Sequence, residues 1–124
     1  MELRIDSEKS GAVSAEDLRG RLARIAVGRH SDIALIAGGK AVSLLKSGDR
    51  AMLVFFRATG DPGLTSRAGD GPHDHSLRFR LANGQVDEYP ASWTVTFEEG
   101  LRVLEHFGTH LAPAPFVRWN DEAG

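Results

Sequence analysis

The stretch IALIAGGKAVSLLKSGDRAMLVFFRA, residues 33–58, decides the fold. It holds three strand-like runs, Ile33–Ala37, Ala41–Lys46 and Ala51–Ala58. Gly38-Gly39 separates the first two. Both residues tolerate positive φ, and a two-residue turn of that kind closes a β-hairpin. Ser47-Gly48-Asp49-Arg50 separates the second and third. Connections this short force antiparallel neighbours, because a parallel crossover needs a dozen or more residues. Met52-Leu53-Val54-Phe55-Phe56 is apolar at odd and even positions alike. A strand of that type is covered on both faces, which places it centrally in the sheet.

Toward the N-terminus, Met1–Asp6 reads as a short strand in which Leu3 and Ile5 alternate with Glu2 and Arg4. SEKSGAV, residues 7–13, reads as a polar connector. Ser14 is placed to cap a helix whose first turn carries Glu16 and Asp17, where the helix dipole is positive. Leu18, Leu22, Ile25 and Ala26 form its apolar stripe, and Gly28 is its expected stop.

Toward the C-terminus, residues 59–76 (TGDPGLTSRAGDGPHDHS) hold four Gly and two Pro and read as a long loop, a type that is usually functional or disordered. Leu77, Phe79 and Leu81 alternate with Arg78 and Arg80, the pattern of a half-exposed strand. Asn83-Gly84 turns it into the return strand Gln85–Tyr89, ended by Pro90. Thr96–Phe107 is the second helix, opened by a Thr96/Glu99 capping box, striped by Phe97, Leu101, Leu104 and Phe107, and stopped at Gly108. Pro113 and Pro115 steer the chain into a last strand, Phe116–Trp119. The expected fold class is therefore α+β: a mostly antiparallel sheet of about six to seven strands with two helices packed on it, in one domain spanning residues 1–124.

Composition excludes several classes. The 124 residues are enough for one domain with a real core. With no cysteine there is no disulfide scaffold. Apolar runs last only a few residues between charges, too short for a membrane helix. MELRIDSEKS has no hydrophobic signal region, so the expected location is cytoplasmic. Charge is uneven. Residues 1–82 carry 13 basic and 10 acidic side chains, whereas residues 83–124 carry 2 basic and 7 acidic. An acidic last third disfavours phosphate binding there and suits a basic protein partner.

Catalytic motifs are sparse. His73-Asp74-His75 is the strongest metal signal, since alternate residues of an extended segment point the same way, but spacing supplies no third ligand. There is no G-x-S-x-G elbow, and Gly38-Gly39-Lys40 lacks the spacing of a phosphate loop. Asp87 and Glu88 are strand neighbours and point to opposite faces, so they form no dyad. Arg57, Arg78 and Arg80 lie near Phe55, Phe56 and Phe79, but Phe79 opposes its flanking arginines as a core aromatic does, which argues against nucleic-acid binding. Trp93, in Tyr89-Pro90-Ala91-Ser92-Trp93, and Trp119, in Val117-Arg118-Trp119, are either core-packing aromatics or interface anchors.

The segment EYPASWTVTFEEGLRVLEHFGTHLAPAPFVRW, residues 88–119, resembles the first family of bacterial immunity proteins from polymorphic toxin systems, Imm family one. The likeness is carried by Tyr89-Pro90, the acidic helix opening Glu98-Glu99, the aromatic Phe107, the connector prolines Pro113 and Pro115, and Val117-Arg118-Trp119. It departs from the family pattern after Phe107, where Gly108-Thr109-His110-Leu111-Ala112-Pro113 replaces a Gly followed by a charged residue. The resemblance implies a protein that is not an enzyme and carries no cofactor or metal. Such a protein binds a cognate toxin domain, often a nucleic-acid deaminase or a nuclease, and occludes its active site. An inhibitor of a basic substrate cleft gains association rate by presenting acids to it. The expected toxin-binding residues are Asp61, Asp70 and Asp74 of the long loop, Asp87 and Glu88 of the acidic strand, and Trp93 and Trp119 as anchors. The alternative is a small-molecule- or metal-binding α+β domain that uses the His73–His75 loop.

Overall fold

The computed structural model describes residues 1–6, 8–23, 30–67, 75–81 and 83–123. Its fold is α+β. The strands are β1 (Glu2–Ile5), β2 (Glu8–Ala12), β3 (His30–Ala37), β4 (Lys40–Ser47), β5 (Arg50–Phe56), β6 (Leu64–Arg67), β7 (Ser76–Arg80), β8 (Val86–Pro90), β9 (Val95–Thr96) and β10 (Arg118–Asp121). The helices are α1 (Ala15–Ala23) and α2 (Phe97–His110). Eight strands form one sheet in the order β10-β6-β5-β4-β3-β1-β2, with β9 paired beside β5, and β7 and β8 form a separate two-stranded sheet.

Residues 33–58 are the centre of this sheet. Gly38 and Gly39 have φ of 59° and 76°, as the hairpin requires, and β3 pairs β4 from Ala37↔Lys40 to His30↔Ser47. In-register pairing lines up Leu3, Leu35, Val42, Phe55 and Leu64 across five strands, with Ile5, Ile33, Leu44 and Leu53 one row on. These rows face α2, whose Val103, Leu104 and Phe107 complete the main core together with Leu18 and Leu22 of α1. The opposite face of β4 and β5 presents Leu45 and Met52 to Phe79 of the β7–β8 hairpin, a second and smaller core. Both faces of β5 are therefore covered over part of its length, which explains why its sequence shows no alternation.

Both helices are capped as expected. The Ser14 hydroxyl accepts from the Asp17 amide at 3.2 Å, and the Thr96 hydroxyl accepts from the Glu99 amide at 3.1 Å. The expected stripe positions Ile25 and Ala26 and the expected stop Gly28 lie outside the described residues.

Four expectations are corrected. Residues 8–12 are not a connector but the edge strand β2, paired antiparallel with β1, and its polar sequence shows no apolar alternation. Residues 64–67 are not loop but β6, whose inward groups include the hydroxyls of Thr65 and Ser66. The second helix does not stop at Gly108; it runs on to His110 and ends at Leu111 in the left-handed region. Gly108 serves packing instead, since a Cβ there would come within 2.8 Å of Leu18 Cδ2 of α1. Finally, Phe116 is not in the last strand. The Ala114 carbonyl accepts from both the Val117 amide and Trp119 Nε1, which folds 114–117 into a turn and delays β10 to Arg118.

Candidate functional site

β10 lies against β6, which brings the acidic end of the chain to basic residues of the middle. Arg57 donates to both carboxylate oxygens of Asp61 (2.8 and 2.9 Å) and both of Asp121 (2.9 and 3.0 Å). Asp61 also accepts from the amides of Arg57 and Gly63. Glu122 accepts from the Thr65 hydroxyl, from Asn120 and from Arg67. The charge asymmetry of the sequence is thus spent in part inside the molecule, on pairs that fasten the β6–β10 edge.

These contacts set the ionisation of the acids. Side-chain hydrogen bonds from Arg57, then its amide, hold Asp61 well below the usual carboxylate range, and Arg57 first of all lowers Asp121. The Thr65 hydroxyl, then Asn120, lowers Glu122. Because the folded values lie below the unfolded ones, the stabilisation is complete above the unfolded range of about pH 4 and is lost as pH falls through the folded values. Arg57→Gln should therefore be less stable at neutral pH and should lose less on acidification than the parent. Melting curves from pH 7 to pH 2 test this, and parallel curves for the two proteins would refute it. The effect should be modest, since Arg57 and Asp121 are both about two-fifths exposed.

The β7–β8 hairpin separates Asp87 from Glu88. Asp87 opposes Phe79 across the strands and accepts from the Tyr89 hydroxyl (3.2 Å) and from Gln85 Nε2 (2.8 Å). Burial, then Asp87, raises the Tyr89 pKa. Glu88 opposes Arg78 on the outer side, at 3.2 Å, with both side chains solvated. Val86, opposite Arg80 on that outer side, is 54% exposed.

Both tryptophans are half-buried. Trp93 stacks on Tyr89 (ring centroids 5.9 Å apart) and carries the Arg67 guanidinium 3.8 Å from its own centroid. Trp119 packs on the main core and donates to the Ala114 carbonyl at 2.9 Å. Asp70 and Asp74, and with them His73, lie outside the described residues. His106 and His110 meet one helical turn apart, ring centroids 4.5 Å, and burial, then His110, lowers the His106 pKa. Among the described residues, no three His, Asp or Glu side chains gather as a metal site would need, and no helix is long and apolar enough to cross a membrane.

Sequence reasoning missed a cleft of about 250 Å³ between the start of α2 and the turn into β10. Arg50, Arg67 and Arg118 line it with Thr96, Glu99 and Phe116. Arg50 is fixed by Thr94, donating to its hydroxyl at 3.0 Å and to its carbonyl at 2.7 Å. The three arginines come from three different strands, so no linear motif marks them. No protein-family model matches the chain, and no curated protein matches it.

Proposed function

We propose that this chain works by binding another protein, as an immunity protein that neutralises a polymorphic toxin domain and contributes no chemistry of its own. The observation that carries the reading is the β7–β8 hairpin. It lies as a separate layer over one sheet face, anchored from below by Phe79, and its outer side frames the exposed Val86 with Arg80, Arg78 and Glu88. An apolar side chain set among charges is the make-up of a docking patch. The resemblance over residues 88–119 supplies the toxin class, a deaminase or nuclease. Glu88 and Val86 are the docking residues in this reading, with Trp93 at the rim, while Asp87 turns to the side of Phe79. Asp61 and Trp119 hold the fold behind them.

The test is co-expression with a toxin domain encoded beside this chain, scored by growth rescue and co-purification as an equimolar complex. Absence of both, or substrate turnover by the isolated chain, would sink the reading. A finer prediction concerns Glu88→Lys. Its pair with Arg78 is exposed on both sides and contributes little to folding. The substitution should slow association with the toxin several-fold at low salt and change dissociation little, because a rim charge acts mainly through steering. Stopped-flow mixing at two salt concentrations checks this, and an unchanged rate at low salt would take Glu88 out of the interface.

A further inference from the structure

We propose that the arginine cleft beside α2 is a binding pocket for a carboxylate carried on an apolar body. None of its lining residues belongs to the β7–β8 hairpin, and it does not rest on the toxin-binding reading. Arg50 and Arg67 are both held in place, the first by Thr94 and the second by the Thr65 hydroxyl, Glu122, the Ser66 carbonyl and the Trp93 ring. Each guanidinium has five N–H donors, so these contacts leave donors unspent on both. Arg118 is exposed and has no partner among the described residues. A guanidinium offers two parallel N–H donors that match a carboxylate.

The anion class follows from the wall. Three guanidiniums and one carboxylate, Glu99, line the cleft, and Arg67 is already paired with Glu122 at 3.2 Å, which leaves a formal excess of one positive charge. A singly charged carboxylate neutralises that excess, whereas a phosphate dianion overshoots it beside Glu99. The volume, about 250 Å³, is several times the roughly 30 Å³ that one water occupies in the liquid. There is room for a body behind the charged head, and the exposed ring of Phe116 at the rim gives that body one apolar contact, Val95 and Val117 being buried beneath.

The experiment titrates the full chain with sodium benzoate, sodium acetate and inorganic phosphate at constant ionic strength. Tryptophan fluorescence and arginine Nε–H NMR signals are the readouts, since Arg67 sits on Trp93. All three anions should give saturable changes, with benzoate tighter than acetate and acetate tighter than phosphate. Arg118→Gln should weaken benzoate by about tenfold, the loss of one charge-assisted hydrogen-bonding partner. Phe116→Ser should lower benzoate to the level of acetate and leave acetate unchanged. An acetyl-Phe-Glu-Phe-amide arm separates the sources. Binding at least as tight as benzoate assigns the pocket to an acidic side chain of a partner protein, and tighter benzoate assigns it to a free organic acid. Phosphate binding tighter than acetate, no saturable response, or an unaffected Arg118→Gln would overturn the proposal.

Discussion

Phe107→Ala should remove about 3–5 kcal/mol of folding stability, the usual loss for a phenylalanine truncated in a core. The ring is fully buried on α2 and meets Phe55 of the central strand edge-on, centroids 5.8 Å apart. Its removal leaves a cavity under the Leu3, Leu35, Val42 and Phe55 row, which strand pairing holds in place and which cannot easily collapse. A domain of this size typically has only about 5–15 kcal/mol in total. The melting temperature should fall by on the order of 10–20 °C. Phe107→Leu keeps most of the volume and should lose less than half as much. Urea denaturation of the three proteins decides it, and a loss under about 1 kcal/mol for the alanine variant would mean that the helix does not seat on this row.

Phe79→Ala should have a comparable cost with a different outcome. Phe79 is the fully buried centre of the smaller core, against Leu45 and Met52, with Tyr89 at 5.9 Å. Among the described residues this core is what fastens the β7–β8 hairpin from below. Its loss should release the hairpin while the main sheet stays folded, since the rows facing α2 do not include this side chain. Amide exchange should rise steeply at 76–80 and 86–89 and stay slow in β3, β4 and β5. If the chain is the toxin-binding protein proposed above, protection against a co-expressed toxin domain should fail at temperatures where the main sheet is intact. Full protection by a variant with a freely exchanging hairpin would place the docking surface elsewhere.

The central sheet was legible because its information is local. Gly38-Gly39 dictates a turn, and the apolar run 51–56 dictates a strand covered on two sides, although the strand expected to reach Ala58 ends at Phe56. The Thr96/Glu99 spacing marks a helix start for the same reason. Elements whose partners are distant in sequence were not legible. Ser66 and Thr65 look like loop residues until β5 and β10 supply their neighbours, and β2 carries no side-chain period at all. Gly108 looks like a stop because a missing side chain means one thing for backbone freedom and another for helix packing. The acids at 121 and 122 read as a free negative surface, yet strand order pairs them with Arg57 and Arg67. Of the candidate site, the opposition of Asp87 and Glu88 was visible from strand period. The tryptophans stood open between two roles, and the arginine cleft needed three strands in place before it existed.

One buried hydroxyl has a mechanical consequence. Ser66 is fully enclosed, accepts from the Leu53 amide at 3.0 Å and donates to the Trp93 carbonyl at 2.7 Å. It is a rivet between the backbone of the central strand and the short turn that follows the hairpin. A pull on the segment that follows β8 would load this rivet, so part of the tension would pass through Ser66 into the backbone of β5.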